Sequence, residues 1–203
     1  MIEVCTVGGY EQVGKNMTAV KVNDDVILFD GGVYLPPLIE LQEDESPQKK
    51  LTIDKLRKIR ALPNDLVLDK LGWRDKVRAI VIGHAHLDHV GGIPYIAHRY
   101  PNAAIYATPF TMAVLDTILE DEKINISNKR KTIMPDTSFK VKGKSETYTI
   151  EFVHTTHSTL QCVFPVLHSS QGVFLYALDF KFDNFPTLDT PPNYKRLKEL
   201  SKI

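Results

Sequence analysis

His84-Ala85-His86-Leu87-Asp88-His89 places three imidazoles and a carboxylate within six residues, directly behind the apolar run Ala79-Ile80-Val81-Ile82. Such a run reads as a buried strand. A strand that empties into a turn full of nitrogen and oxygen donors constrains the fold, because the donors converge only if a rigid scaffold holds the turn. Neutral imidazole and carboxylate are the groups that bind Zn²⁺ and its neighbours. The competing reading is an exposed polar loop rich in histidine. That reading suits a single His far better than H-x-H-x-D-H behind a strand.

The remaining polar punctuation repeats the theme. Val4 to Val7 and Thr18 to Val22 read as the first two strands of a meander, joined by Gly8-Gly9-Tyr10-Glu11-Gln12-Val13-Gly14-Lys15-Asn16. The three glycines permit a tight loop, whose spacing is wrong for a phosphate-binding P-loop. Asn23-Asp24-Asp25 turns the chain into the buried run Val26-Ile27-Leu28-Phe29, which stops at Asp30-Gly31-Gly32. Pro36 to Lys50 is polar and acidic and reads as a surface excursion. Thr52 to Ala61 carries Ile53, Leu56 and Ile59 at helical spacing, with Thr52 as the cap. The strand Arg78–Ile82 leads into the histidine turn, and a helix is expected from Asp88 to Tyr100. Ala104–Ala107 reads as a strand and Pro109–Glu122 as a helix opened by its proline.

From Lys131 the pattern changes to short strands. Thr147 to Val153 alternates strictly and ends near His154 and His157. Leu160–Leu167 and Val173–Leu178 read as a hairpin whose second strand stops at Asp179. Pro191-Pro192 opens a final amphipathic helix with Tyr194, Leu197 and Leu200. Helices and strands alternating between flanking meanders predict packed sheets covered by helices, an α/β layered class. Asp30, the segment His84 to His89, His157 and Asp179 all fall at strand ends, and four strand ends can meet at one rim.

Within the turn, His84 and His86 can point the same way toward one ion. Asp88 and His89 belong to the start of the following helix, where free N–H groups and the dipole favour a carboxylate. The donors thus divide into two clusters, which suggests two metal ions about 3.5–4 Å apart. Asp179 is the candidate to bridge them, having two oxygens. His157 is the candidate to complete the first set. His154 is its rival, although a strand histidine is the simpler reading. Asp30 is placed to orient a ligating histidine from behind. His98 and His168 lie outside any cluster.

Bulk properties exclude several classes. Twenty-five basic and 25 acidic residues cancel to a net charge of +0 in 203 residues, which argues against gripping nucleic acid by bulk charge. Cys5 and Cys162 form neither a disulfide framework nor a C-x-x-C pair. No secretory leader and no apolar run of membrane-spanning length is read from the sequence. The expectation is a cytoplasmic protein with no membrane partner.

His84-x-His86-x-Asp88-His89, with His157 and Asp179 downstream, resembles the metallo-β-lactamase superfamily. The glycine loop through Met17, Asp30-Gly31-Gly32, His157-Ser158 and Asp179-Phe180-Lys181-Phe182-Asp183 are similar to β-CASP nucleases, and among them to the ribonuclease J family, especially its archaeal members. The resemblance implies an αββα sandwich and a zinc-dependent ribonuclease acting mainly from the five-prime end of RNA. It implies one zinc on His84, His86 and His157, a second on Asp88 and His89, and Asp179 between them. A metal-activated water would attack phosphorus in line, with Asp88 handling its proton. Asp88 and Asp179 are thus the expected catalytic carboxylates.

Two departures qualify this. Leu178 stands where the family commonly has Gly before the bridging Asp. The family's β-CASP insertion and the returning segment of the lobe, which carries a further histidine ligand, are not found in residues 1–203. The chain is therefore expected to be the N-terminal part of an incomplete sandwich that holds one zinc well and a second weakly, with weak or no activity alone. Exposed surface on such a lobe suggests homo-oligomers. The alternatives are a self-sufficient small hydrolase of thioesters or lactones and an inactive metal-stabilised scaffold.

Overall fold

The computed structural model describes residues 1–44 and 51–203 of the protein. Strands β1 (Ile2–Gly8), β2 (Met17–Val22) and β3 (Asp25–Phe29) open the chain, followed by helices α1 (Pro36–Asp44), α2 (Ile53–Lys58) and α3 (Val67–Lys70). Next come β4 (Val77–Val81), α4 (Leu87–Val90), α5 (Ile93–Ile96), β5 (Ala104–Ala107), α6 (Pro109–Asp121) and β6 (Arg130–Thr132). The last stretch holds β7 (Thr137–Lys142), β8 (Thr147–His154), β9 (Val163–Ser169), β10 (Gly172–Leu175) and α7 (Tyr194–Leu200).

The strands form a six-stranded sheet ordered β1 to β6 and a four-stranded sheet ordered β10-β9-β8-β7. In the first, β1, β2 and β3 pair antiparallel, while β3 to β6 pair parallel. Parallel pairing brings the ends of β3, β4 and β5 to one rim. The second sheet is an antiparallel meander, so β8 and β10 run the same way.

Strand periodicity explains the layering. Val26 and Leu28 face a core shared with Leu56, Leu68, Ile93 and Leu115 from the helices. Ile27 and Phe29 face the other way, into a core shared with Tyr148, Ile150 and Phe152 of β8. Both faces of β3 and β4 are buried, which is why those strands read as continuous apolar runs rather than alternating ones. On the outer face of the second sheet, Val153, Phe164 and Val166 pack against Leu197 and Leu200 of α7. The result is the expected helix–sheet–sheet–helix layering.

Several boundaries differ from expectation. The helix expected over Asp88–Tyr100 is broken into α4, α5 and a 3₁₀ turn, Ala97–Arg99. The break falls at Gly91-Gly92, where Gly92 N–H donates to the Gly31 carbonyl at 2.8 Å. A Cβ on Gly92 would lie 2.4 Å from the Gly32 oxygen, so the two chain segments touch backbone to backbone. The excursion after Pro36 begins as helix α1, and its residues 45–50 lie outside the described residues. Helix α3 was not anticipated. The hairpin strands are shorter than read, although Tyr176 N–H still donates to the Pro165 carbonyl at 2.9 Å. The last helix starts at Tyr194 because Asn193 caps it, its side chain accepting from Arg196 N–H at 3.0 Å. Thr52 caps α2 as expected.

Candidate metal centre

Four strand ends build the site. Strand β4 has fully buried Ile80 and Val81, and beyond it His84 is completely buried. Strand β3 ends at Asp30, which takes φ 59° and hydrogen-bonds its N–H to the Val81 carbonyl at 2.9 Å. Past β8, Thr156 forms an isolated antiparallel bridge with Lys181, whose N–H donates to the Thr156 carbonyl at 2.8 Å. That bridge carries His157 alongside the segment that holds Asp179.

His84, His86 and His157 present ligand atoms all within 4.8 Å of one another. His84 Nε2 and His86 Nδ1 approach to 3.1 Å. Two nitrogens on one tetrahedral zinc, each about 2.0–2.1 Å from the ion, stand about 3.3 Å apart, so the spacing suits a shared ion. Burial and then the neighbouring imidazoles of His89, His86 and His157 push the His84 pKa down to about 2. Burial, then His86, also lowers that of His157. Both rings therefore stay neutral, the form in which imidazole is a ligand. The donor set fits a divalent metal.

A second group is formed by His84, His89 and Asp179, again within 4.8 Å. His89 is fixed from behind, its Nδ1 lying 2.7 Å from Asp30 Oδ2. Donation to that carboxylate leaves the Nε2 lone pair facing the site. Burial opposes protonation of His89, but Asp30, with Asp88 and Asp179, outweighs it and raises the pKa. Asp88 Oδ2 and Asp179 Oδ2 each lie 3.6 Å from His89 Nε2. Asp88 thus stands as near to the His89 ring nitrogen as Asp179 does.

Asp30 does more than expected. Its Oδ1 accepts from Gly83 N–H at 2.9 Å, so one buried carboxylate holds both the entry to the histidine turn and its last ring. His154 is buried and turns away, its Nε2 lying 2.8 Å from the Thr190 carbonyl. His168 pairs with Glu151 at 3.0 Å, and His98 is exposed.

Sequence reasoning assigned no role to Asn16, Gly83 or Ser158. The Asn16 amide nitrogen lies 3.0 Å from both Asp88 Oδ2 and His89 Nε2 and 3.1 Å from the Asp88 carbonyl, so it restrains both residues. The only sequence signal was its place at the end of the glycine loop. Ser158 Oγ lies 3.2 Å from His86 Nε2. Gly83 explains how Leu178 is tolerated: a Cβ at Gly83 would lie 1.8 Å from Leu178 Cδ2, so the missing side chain is the slot that Leu178 fills. Leu178 is buried there while Asp179 reaches the site.

The site is open on two sides. A cleft of about 360 Å³ separates the glycine loop from Asp88 and Asp179. A cavity of about 400 Å³ lies beyond His157 and Ser158, walled by Phe110, Leu160 and Leu188.

The sequence pattern of the beta-lactamase superfamily domain matches residues 59–183, a span that includes the histidine turn, His157 and Asp179. The chain belongs to that superfamily. It is similar to the ribonuclease J of Methanocaldococcus jannaschii, with 38% identity over 202 residues, and to that of Pyrococcus abyssi, with 40% over 204. These matches cover 99% and 100% of this chain but 43% of each relative, so the chain spans less than half their length. A solved protein of unknown function from Enterococcus faecalis aligns with a TM-score of 0.61 at 19% identity, over 88% of this chain and 43% of that one. The metallo-beta-lactamase fold protein YhfI of Bacillus subtilis aligns with a TM-score of 0.51 at 15% identity, over 87% and 62%. At these identities the likeness is one of fold.

Proposed function

We propose that the chain is the amino-terminal part of a ribonuclease J-like enzyme that hydrolyses RNA phosphodiesters, mainly from the five-prime end, in the cytoplasm. The observation that carries this reading is the pair of donor groups sharing His84, one of imidazoles and one including a carboxylate. In it, His84, His86 and His157 would hold one zinc and Asp88, His89 and Asp179 would hold a second. Divalent metal in such a site supplies Lewis acidity toward a phosphoryl oxygen and a nucleophilic water near neutral pH. Asp88, only partly exposed and restrained by Asn16, is placed to take the nucleophile's proton. Asp30 keeps His89 in the ligating tautomer. In this reading the β-CASP insertion, the returning segment of the lobe and a further histidine for the second ion lie outside residues 1–203. Phe182, Phe185 and Leu188, all exposed, are the surface through which this part self-associates.

The test is metal analysis together with a hydrolysis panel of five-prime-monophosphorylated RNA, thioesters and lactones. The expected result is one tightly held zinc, a second held weakly, and weak or no RNA hydrolysis, any residual turnover being removed by Asp179→Asn. Thioester or lactone turnover exceeding RNA hydrolysis would replace this reading with that of a small self-sufficient hydrolase. Two tightly held ions with rapid RNA hydrolysis would overturn the incomplete-site reading.

A further inference from the structure

Behind the glycine loop lies a third pocket, of about 330 Å³, where Lys15, Arg57 and Arg60 line the wall together with Leu62, Pro63, Asn64 and Leu66. Three cations face one cavity in a chain whose net charge is +0. Among the described residues, only Arg57 has an acidic partner there, Asp65 at 2.8 Å, and that carboxylate also serves Arg99 at 2.7 Å. Among the described residues, no carboxylate lies within ion-pair distance of Lys15 or Arg60. Lys15 Nζ instead donates to the Arg60 carbonyl at 3.1 Å and sits 5.8 Å from the Tyr34 ring centroid. Burial, then Arg60, lowers the Lys15 pKa, with only Glu11 acting in the opposite sense.

The backbone adds a second observation. Lys15 and Arg60 both take left-handed φ values, 43° and 60°. Such conformations are uncommon for residues other than glycine, and they persist where surrounding structure holds them. Here Lys15 N–H donates to the Val33 carbonyl at 3.0 Å, fixing the loop. The next residue, Asn16, reaches Asp88 and His89, so consecutive side chains serve the cationic pocket and the metal centre.

We propose that the Lys15–Arg57–Arg60 pocket is a phosphate subsite that takes a backbone phosphate of the same RNA strand whose scissile bond lies at the metal centre. The inference rests on the ribonuclease reading, and its test is independent of hydrolysis. Three donors from two elements match the oxygens of a phosphate, with Arg able to bind it bidentately.

The experiment measures binding of a labelled single-stranded RNA with a five-prime hydroxyl to the chain in chelator, across a salt series. Arg60→Asn removes the charge but tolerates the left-handed backbone; Arg60→Gly is a second such variant should the first fold poorly. Loss of one phosphate contact should lower the slope of log affinity against log salt by about 0.7. Affinity should fall about tenfold, similarly for all RNA sequences. Arg60→Lys should retain most of the slope. In a parallel arm, inorganic phosphate should raise the thermal midpoint of the wild type more than that of Arg60→Asn. Unchanged RNA affinity and slope in both variants would overturn the proposal, including when the phosphate arm alone responds, since the pocket would then serve free phosphate. The expected RNA-binding changes accompanied by thioester or lactone turnover exceeding RNA hydrolysis by the zinc-loaded chain would count against the ribonuclease reading while leaving the subsite intact.

Discussion

Asp30 is the residue on which the metal centre turns, because one carboxylate bonds to both ends of the segment from Gly83 to His89. Its Oδ1 takes Gly83 N–H and its Oδ2 faces His89 Nδ1. Replacement by Asn keeps the volume and the acceptor for Gly83, but presents an N–H to His89 and favours the tautomer whose Nε2 carries a proton. Zinc affinity of Asp30→Asn, read by competition with a chromophoric chelator, should therefore fall about 10- to 100-fold, with the circular dichroism spectrum unchanged. Equal affinity in the two proteins would refute the orienting role. The histidine turn itself was legible because its chemistry is local. Asn16 was not: its partner Asp88 is 72 residues away, and an asparagine after glycines signals only a turn.

The elements meet through a compensation between β4 and the segment after β10. Gly83 leaves a slot that Leu178 fills, and that packing positions the neighbouring Asp179. Gly83→Ala forces Leu178 out of the slot, an overpacking that should cost about 1–3 kcal/mol. Combining it with Leu178→Ala should cost less than the sum of the two changes, as a double-mutant cycle by urea denaturation would reveal. Additive costs would mean that the two residues do not share the slot. The strands were read largely correctly because burial on both faces leaves continuous apolar runs. The helix after Asp88 was overextended because its break comes from the Gly92–Gly31 approach, a long-range contact that periodicity along the chain does not register.

At the scale of the whole molecule, the two sheets are tied by Asp25, which is fully buried at the start of β3. It accepts from Arg78 Nε at 2.6 Å on the neighbouring strand, from Lys144 and Ser145 N–H at 2.7 and 2.8 Å in the β7–β8 turn, and from Tyr148 OH at 2.9 Å. Burial alone would raise its pKa, but these donors together lower it from 3.8 to about 2. A depressed carboxylate stabilises the fold fully above its unfolded pKa and ceases to do so as pH falls through the folded value. The wild type should therefore lose about 2 kcal/mol between about pH 5 and pH 2. Asp25→Asn should lack that component, as denaturant melts across the range would read. A parallel pH dependence in both proteins would exclude Asp25 as its source.

The sequence by itself determined the chemistry and the order of the elements: a strand delivering H-x-H-x-D-H, carboxylates at later strand ends, and runs apolar enough to be buried on one or both faces. Those are properties of neighbours along the chain. Only the tertiary structure decided how the donors are shared, grouping His89 with His84 and Asp179 and setting Asp88 against the same ring. It also placed Asn16 across the site and Leu178 against Gly83. Each depends on segments tens of residues apart approaching within bonding distance, a closeness set by how the sheets pack.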